Sequence, residues 1–173
     1  MADEHEVEEH LHHAKEPFDK VVAGTMAIVA ALLAVVSVLG QHYNTEKLLS
    51  QQKSSDQWAF YQAKNIRRYS AQVAQDTLSQ MKADPNLVGK YAKDLAKYDK
   101  QMEDIQKDAK ELENESDKAG RQAERFHIGE VFLEIGIVLS SLAILTKQKT
   151  FFIGGGISAA IGLVLAVTAY WAA

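Results

Sequence analysis

The chain has 173 residues, 24% of them charged, with a formal net charge of -4 and no cysteine. Its mean hydropathy of -0.19 would suit an ordinary soluble domain. The missing thiols exclude disulfides, thiolate metal centres and cysteine nucleophiles, and the acidic balance supplies no basic surface for nucleic acid.

Those averages conceal a segregation. No Asp, Glu, Lys or Arg lies between Lys20 and Glu46, and none follows Lys149. Val21 to Leu39 and Phe151 to Trp171 each reach the roughly 20 apolar residues that a helix needs to cross a bilayer. The expectation is an all-α membrane protein with three transmembrane helices and a long antiparallel helical hairpin between the first and second spans. Taken in order, its parts are a polar tail (1–16), a first span (17–40), the hairpin (41–127), a second span (128–146), a loop (147–150) and a third span (151–173).

The tail carries His5, His10, His12 and His13 among glutamates. Such a composition binds Zn²⁺, Ni²⁺ or Cu²⁺ adventitiously, and the preferred reading is a solvated segment with no assigned metal site. Acidic residues precede the first apolar run and no Ala-x-Ala-like site follows it, so a cleavable signal peptide is not expected. Within the first span, small residues recur every four positions at Ala23, Ala27 and Ala31, a spacing that lets helices approach closely in lipid.

From Gln41 to His127 the composition favours helix, interrupted at Ala83-Asp84-Pro85-Asn86. The break gives two arms of about 42 residues, each about 63 Å long if helical, as an antiparallel hairpin standing on a membrane requires. In the second arm Leu95, Tyr98, Met102, Ile105, Ala109, Leu112, Ser116, Ala119, Ala123 and Phe126 alternate by three and four, as coiled-coil seams do. In the first arm Ala59, Ala63, Ile66, Ser70, Val73, Thr77 and Met81 are taken as the facing seam. Trp58, Phe60 and Tyr61 put three aromatic rings on more than one side of one helix, and they are read as contacts with another helix or subunit.

The run Ser55-Asp56-Gln57-Trp58-Ala59-Phe60-Tyr61-Gln62-Ala63-Lys64, with Arg125-Phe126-His127, Gly129-Glu130-Val131 and Ile137-Val138-Leu139-Ser140-Ser141, resembles a bacterial three-span membrane family catalogued as a domain of unknown function, number 4337. The resemblance covers nearly the whole chain. It implies a short bacterial membrane protein with a helical middle, and it carries no catalytic residue or cofactor.

The uncharged stretch Ile135 to Thr146 is too short to cross a bilayer, so the second span must begin near His127 and take in Glu130 and Glu134. The three-four alternation continues through Glu130, Leu133, Ile137, Ser140 and Ile144. Because a carboxylate facing lipid costs several kcal/mol, both glutamates are expected at a polar contact near the headgroups, paired with Arg121, Arg125, His127 or backbone groups. The alternative is that they line a cation or proton pathway in an oligomer.

Lys147-Gln148-Lys149-Thr150 is a connection short enough to make the second and third spans antiparallel neighbours. In the third span Gly154, Ser158, Gly162 and Ala166 recur every four residues and are read as a close-packing, oligomer-forming face. Gly154-Gly155-Gly156 lacks the Lys, the Ser or Thr and the strand of a phosphate loop. Tyr170 and Trp171 read as interfacial anchors.

Lys15, Lys20 and the short lysine loop put the N-terminus on the cytoplasmic side and the hairpin in the periplasm, whereas Arg121 and Arg125 oppose that orientation. The expected protein is therefore a homo-oligomeric scaffold of the bacterial inner membrane with no enzymatic activity, no cofactor and no metal. Its partners are the lipid bilayer, other copies of itself and an unidentified protein at the hairpin.

Overall fold

In the computed structural model, residues 17–171 are described. The expectations for the His-rich tail fall outside them. Three α-helices follow one another: α1 (Pro17–Gln80), α2 (Pro85–Thr146) and α3 (Lys149–Thr168), with a 3₁₀ turn at Ala169–Trp171. All three are long and apolar enough to cross a membrane. The first two run unbroken through the boundaries at which the sequence divides span from hairpin, since neither Gly nor Pro interrupts them there strongly enough to end a helix.

The connections differ from the expected ones by a few residues. The break between α1 and α2 falls at 81–84, and Pro85 opens α2, where its missing N–H costs nothing. Asp84 caps the helix: its Oδ1 accepts from Asn86 N at 2.9 Å. On the other side Ala83 N donates to Leu78 O and Lys82 N to Ser79 O, the paired bonds of a Schellman ending with Lys82 at φ 51. Lysine pays for that left-handed conformation where glycine would not. Lys82→Gly should therefore raise the unfolding free energy by up to about 1 kcal/mol, read from a denaturant titration; an unchanged midpoint would count against the strained cap. The loop between α2 and α3 is Lys147-Gln148 alone, because α3 already begins at Lys149.

The chain forms two compact units. One contains Thr45–Lys118, the two hairpin arms. Their contacts pair rising numbers with falling ones: Ser116 Oγ donates to Lys47 O (3.1 Å), Ser54 Oγ to Ala109 O (3.1 Å) and Lys64 Nζ to Gln101 Oε1 (2.9 Å). The arms are thus antiparallel. The α2 arm buries Met102, Ile105, Ala109 and Ser116 and half-buries Leu95, Tyr98 and Leu112, the row read from its spacing.

The α1 arm turns a different row inward from the one expected. Ser50, Ser54 and Ala71 are buried, Tyr61, Lys64, Arg68 and Leu78 are half-buried, and Ile66 and Val73 stand 67% and 64% exposed. Both rows have three-four spacing, so spacing could not choose between them. The bulk of the contact is supplied by α2, and small or long polar residues fit opposite it: serines bond across to the facing backbone. The Lys64 stem lies along the seam with its ammonium 5.8 Å from the Tyr98 ring centroid. Arg68 pairs with Asp99; that hydrogen bond, followed by the attraction of the same carboxylate, raises the guanidinium's pKa above its ordinary value.

The other unit gathers residues 17–44 of α1, 119–146 of α2 and the whole of α3. Its core is Val36, Phe126, Leu133, Ala166 and Ala169, flanked by Val29, Leu33, Leu39, Tyr43 and Ala159. At one end Lys147 Nζ meets Asp19 Oδ2 at 2.6 Å and Phe18 meets Phe152 edge-on. At the other, Phe126 stacks on Tyr43 and meets Tyr170 edge-on. Outward residues such as Val21, Ile28, Val35, Val138, Leu145, Ile157 and Val164 are apolar, the surface a lipid environment tolerates.

Candidate functional site

The unit that contains α3 is organised around glycines where α2 and α3 touch. An added Cβ at Gly162 would lie 2.6 Å from Gly129 O, and one at Gly155 would lie 2.7 Å from Gly136 O. These are backbone-to-backbone approaches that any side chain would block. The buried face of α3 is Gly155, Ser158, Gly162 and Ala166, so Gly155 takes the place expected for Gly154, whose Cβ would meet only Leu139 Cδ1 at 3.8 Å. The helical period of 3.6, rather than 4, places the row one residue over at its first turn. Ser158 Oγ donates to Phe132 O at 2.7 Å. Ser158 and Gly162 therefore join helices of the same chain, a use different from the oligomer contact expected of them.

The same docking fixes the two glutamates. The buried row of α2 runs through Gly129, Leu133, Gly136, Ser140 and Ala143, with Glu130, Ile137 and Ile144 at its margin. Glycine at 129 and 136 admits α3, and this rotates the buried face one position from the row extrapolated along the hairpin. Glu130 is left half-buried, its side chain 20% exposed and its Oε2 3.2 Å from His127 Nδ1, one turn earlier. Glu134 is exposed, beside exposed Val131, Ile135 and Val138. It makes no hydrogen bond or ion pair among the described residues. Along α2 it lies about 12 Å from the Phe126 level and about 20 Å from Lys147, so it sits within the apolar stretch.

Of the pairings expected for the glutamates, the one with His127 forms at Glu130. The sequence gives both glutamates one expectation, a polar contact near the headgroups, although its three-four row passes through Glu130 alone. Only the docking of α3 separates a half-buried carboxylate from an outward one.

The aromatic group of the hairpin also divides. Trp58 Nε1 donates to Glu113 Oε1 at 2.8 Å and its ring meets Tyr61 edge-on, both within the arm pair. Phe60 stays 57% exposed, with Lys64 Nζ 5.6 Å from its ring centroid. Near Trp58 a groove is lined by Lys47, Gln51, Ser54, Ser55, Glu113, Ser116 and Asp117; it is open and polar. Among the described residues no three His, Asp or Glu side chains stand close enough to hold a metal ion.

Across residues 18–172 the sequence matches the family model described as Domain of unknown function (DUF4337). The chain belongs to this family. The match runs through the hairpin and all three apolar segments. No curated protein and no solved structure matches the chain.

Proposed function

We propose that this member of the family is an oligomeric membrane scaffold of the bacterial inner membrane, without catalytic activity, that presents a helical hairpin to a protein partner. The observation that carries the reading is the outward apolar surface of an otherwise polar hairpin: Phe60, Ile66, Tyr69 and Val73 stay exposed on α1 after the two arms have packed. Solvated helices rarely keep such a surface without a partner. The N-terminus is assigned to the cytoplasm and the hairpin to the periplasm, from the lysines at the α2–α3 loop and the start of α1. Light scattering of the detergent-purified chain tests the assembly: a particle larger than one copy supports it, and a monomer at micromolar concentration overturns it.

A second reading, an oligomeric cation or proton pathway lined by Glu130 and Glu134, is favoured by the outward carboxylate of Glu134 among apolar side chains. A carboxylate on such a face is costly against lipid, and a hydrated path between copies would relieve that cost. The scaffold reading expects reconstituted liposomes to pass no more cations than empty ones, in wild type and in the Glu130→Gln, Glu134→Gln double variant alike. Flux in wild type that the double variant abolishes would replace the scaffold with the pathway.

A further inference from the structure

We propose that the outward row of the α1 arm is a self-association seam, closed by the same row of a second copy lying parallel and in register. This rests on the scaffold reading and names the surface and the partner that it needs. Ala59, Ala63, Ile66, Ser70, Val73 and Thr77 are all exposed and alternate by four and three, the spacing at which one helix interlocks with another. The hairpin does not need this row, because the opposite face of the same arm already packs on α2 through Ser54, Lys64 and Ala71. A helix with two such rows has two helical partners. Alanine and serine at alternate levels permit close approach, while Ile66 and Val73 supply the bulk.

Charge selects the occupant and its direction. The outer face of the α2 arm carries Lys97, Lys100, Asp104, Lys107, Asp108 and Glu111, all exposed, and is built to stay solvated. The α1 row is bordered by Gln62, Tyr69 and Asp76 on one side and by Phe60, Arg67 and Ala74 on the other.

In a parallel pair, bordering residues meet five positions apart. Arg67 then lies beside Gln62 of the second copy and Tyr69 beside its Ala74, so no like charges meet. An antiparallel pair centred on the same row would bring Arg67 close to its own counterpart. Copies anchored through the same first span also run in the same direction. The row is only about 27 Å long, so in free solution it would associate weakly. Confinement to one membrane raises the effective concentration and makes a short seam sufficient.

Because the chain contains no cysteine, single substitutions report contacts without background. Ala63→Cys and Ser70→Cys on the row, and Lys107→Cys on the outer face of α2, are made in the full chain and oxidised in proteoliposomes. Same-position disulfide dimers are expected at 63 and 70, forming at least about tenfold faster than at 107, as tethered neighbours do. Equal rates at all three positions would mark random collision and overturn the seam. Particles larger than one copy by light scattering, with no dimer at 63 or 70, would overturn the seam and leave the scaffold standing. A monomeric particle would overturn both. As a second check, Ile66→Asp with Val73→Asp changes only exposed positions, so helix content by circular dichroism is expected to stay while the assembly dissociates. Persistence of the assembly in that variant would reject the seam.

Discussion

Replacing Gly162 with valine is expected to break the docking of α3 on α2. Even a single Cβ there would stand 2.6 Å from Gly129 O, 3.0 Å from Phe132 Cβ and 3.1 Å from Leu133 Cγ. The nearest obstacle is a backbone oxygen inside a continuous helix, which cannot rotate away as a side-chain tip would. The helices must separate instead, and separation gives up the backbone contact along Gly129, Gly136 and Gly155 at once, together with the Ser158 bond to Phe132 O. Overpacking of an interior costs about 1–3 kcal/mol and sometimes more. The upper end is expected here, with Gly162→Ala somewhat milder.

Gly156→Ala and Gly24→Ala are the controls. A Cβ at either position meets nothing within 4 Å, so stability should hold or rise by up to about 1 kcal/mol, the helix preference of alanine over glycine. The measurement is the thermal midpoint of the detergent-solubilised chain. Equal midpoints for Gly162→Val and Gly156→Ala would refute the close approach of α2 and α3.

Phe126→Ala should be comparably damaging by the opposite route, a void in place of a clash. Phe126 is 1% exposed. Its ring stacks on Tyr43 with centroids 5.5 Å apart and planes at 8°, and stands edge-on to Tyr170 at 5.7 Å and 89°. One side chain from α2 thereby ties α1 to the C-terminal turn. Gly40 lies close by: a Cβ there would reach within 3.3 Å of Phe126 Cβ, so α1 cannot readily slide in to fill the space.

Truncating a buried phenylalanine to alanine costs about 3–5 kcal/mol. The lower part of that range is expected, because lipid or detergent that reaches the void recovers some of the lost dispersion. Denaturant unfolding followed by the emission of Trp171, the residue after Tyr170, in a Trp58→Phe background would read the loss. Phe126→Leu should fall between wild type and alanine. A Phe126→Ala variant with an unshifted midpoint would show that the aromatic contact does not hold this end together.

Both effects depend on features that sequence reading reached unevenly. The first and third apolar segments, the turn near Pro85 and the inward row of α2 were legible because each rests on one strong local signal: twenty uncharged residues, a proline after Asp84, or bulky apolar side chains at three-four spacing. The second segment, uncharged only from Ile135 to Thr146, had to be extended back through two glutamates to reach the length of a span. Family membership over residues 18–172 followed from the string around Trp58 and the segments flanking Glu130.

What the sequence could not decide was which of two equally spaced faces turns inward. On α1, the more apolar row stays outside because α2 already supplies the bulk and asks for serine, alanine and long polar stems opposite it. On α3, the period of a real helix brings Gly155 rather than Gly154 to the contact. On α2, the approach of α3 at Gly129 and Gly136 rotates the buried face by one residue, which puts Glu130 at its margin and leaves Glu134 outward. The sequence by itself determined which segments are helical and which can live in lipid, since charge and hydropathy act residue by residue. Only the tertiary structure decided the roles of particular side chains, because a helix face acquires an inside only when another helix is packed against it.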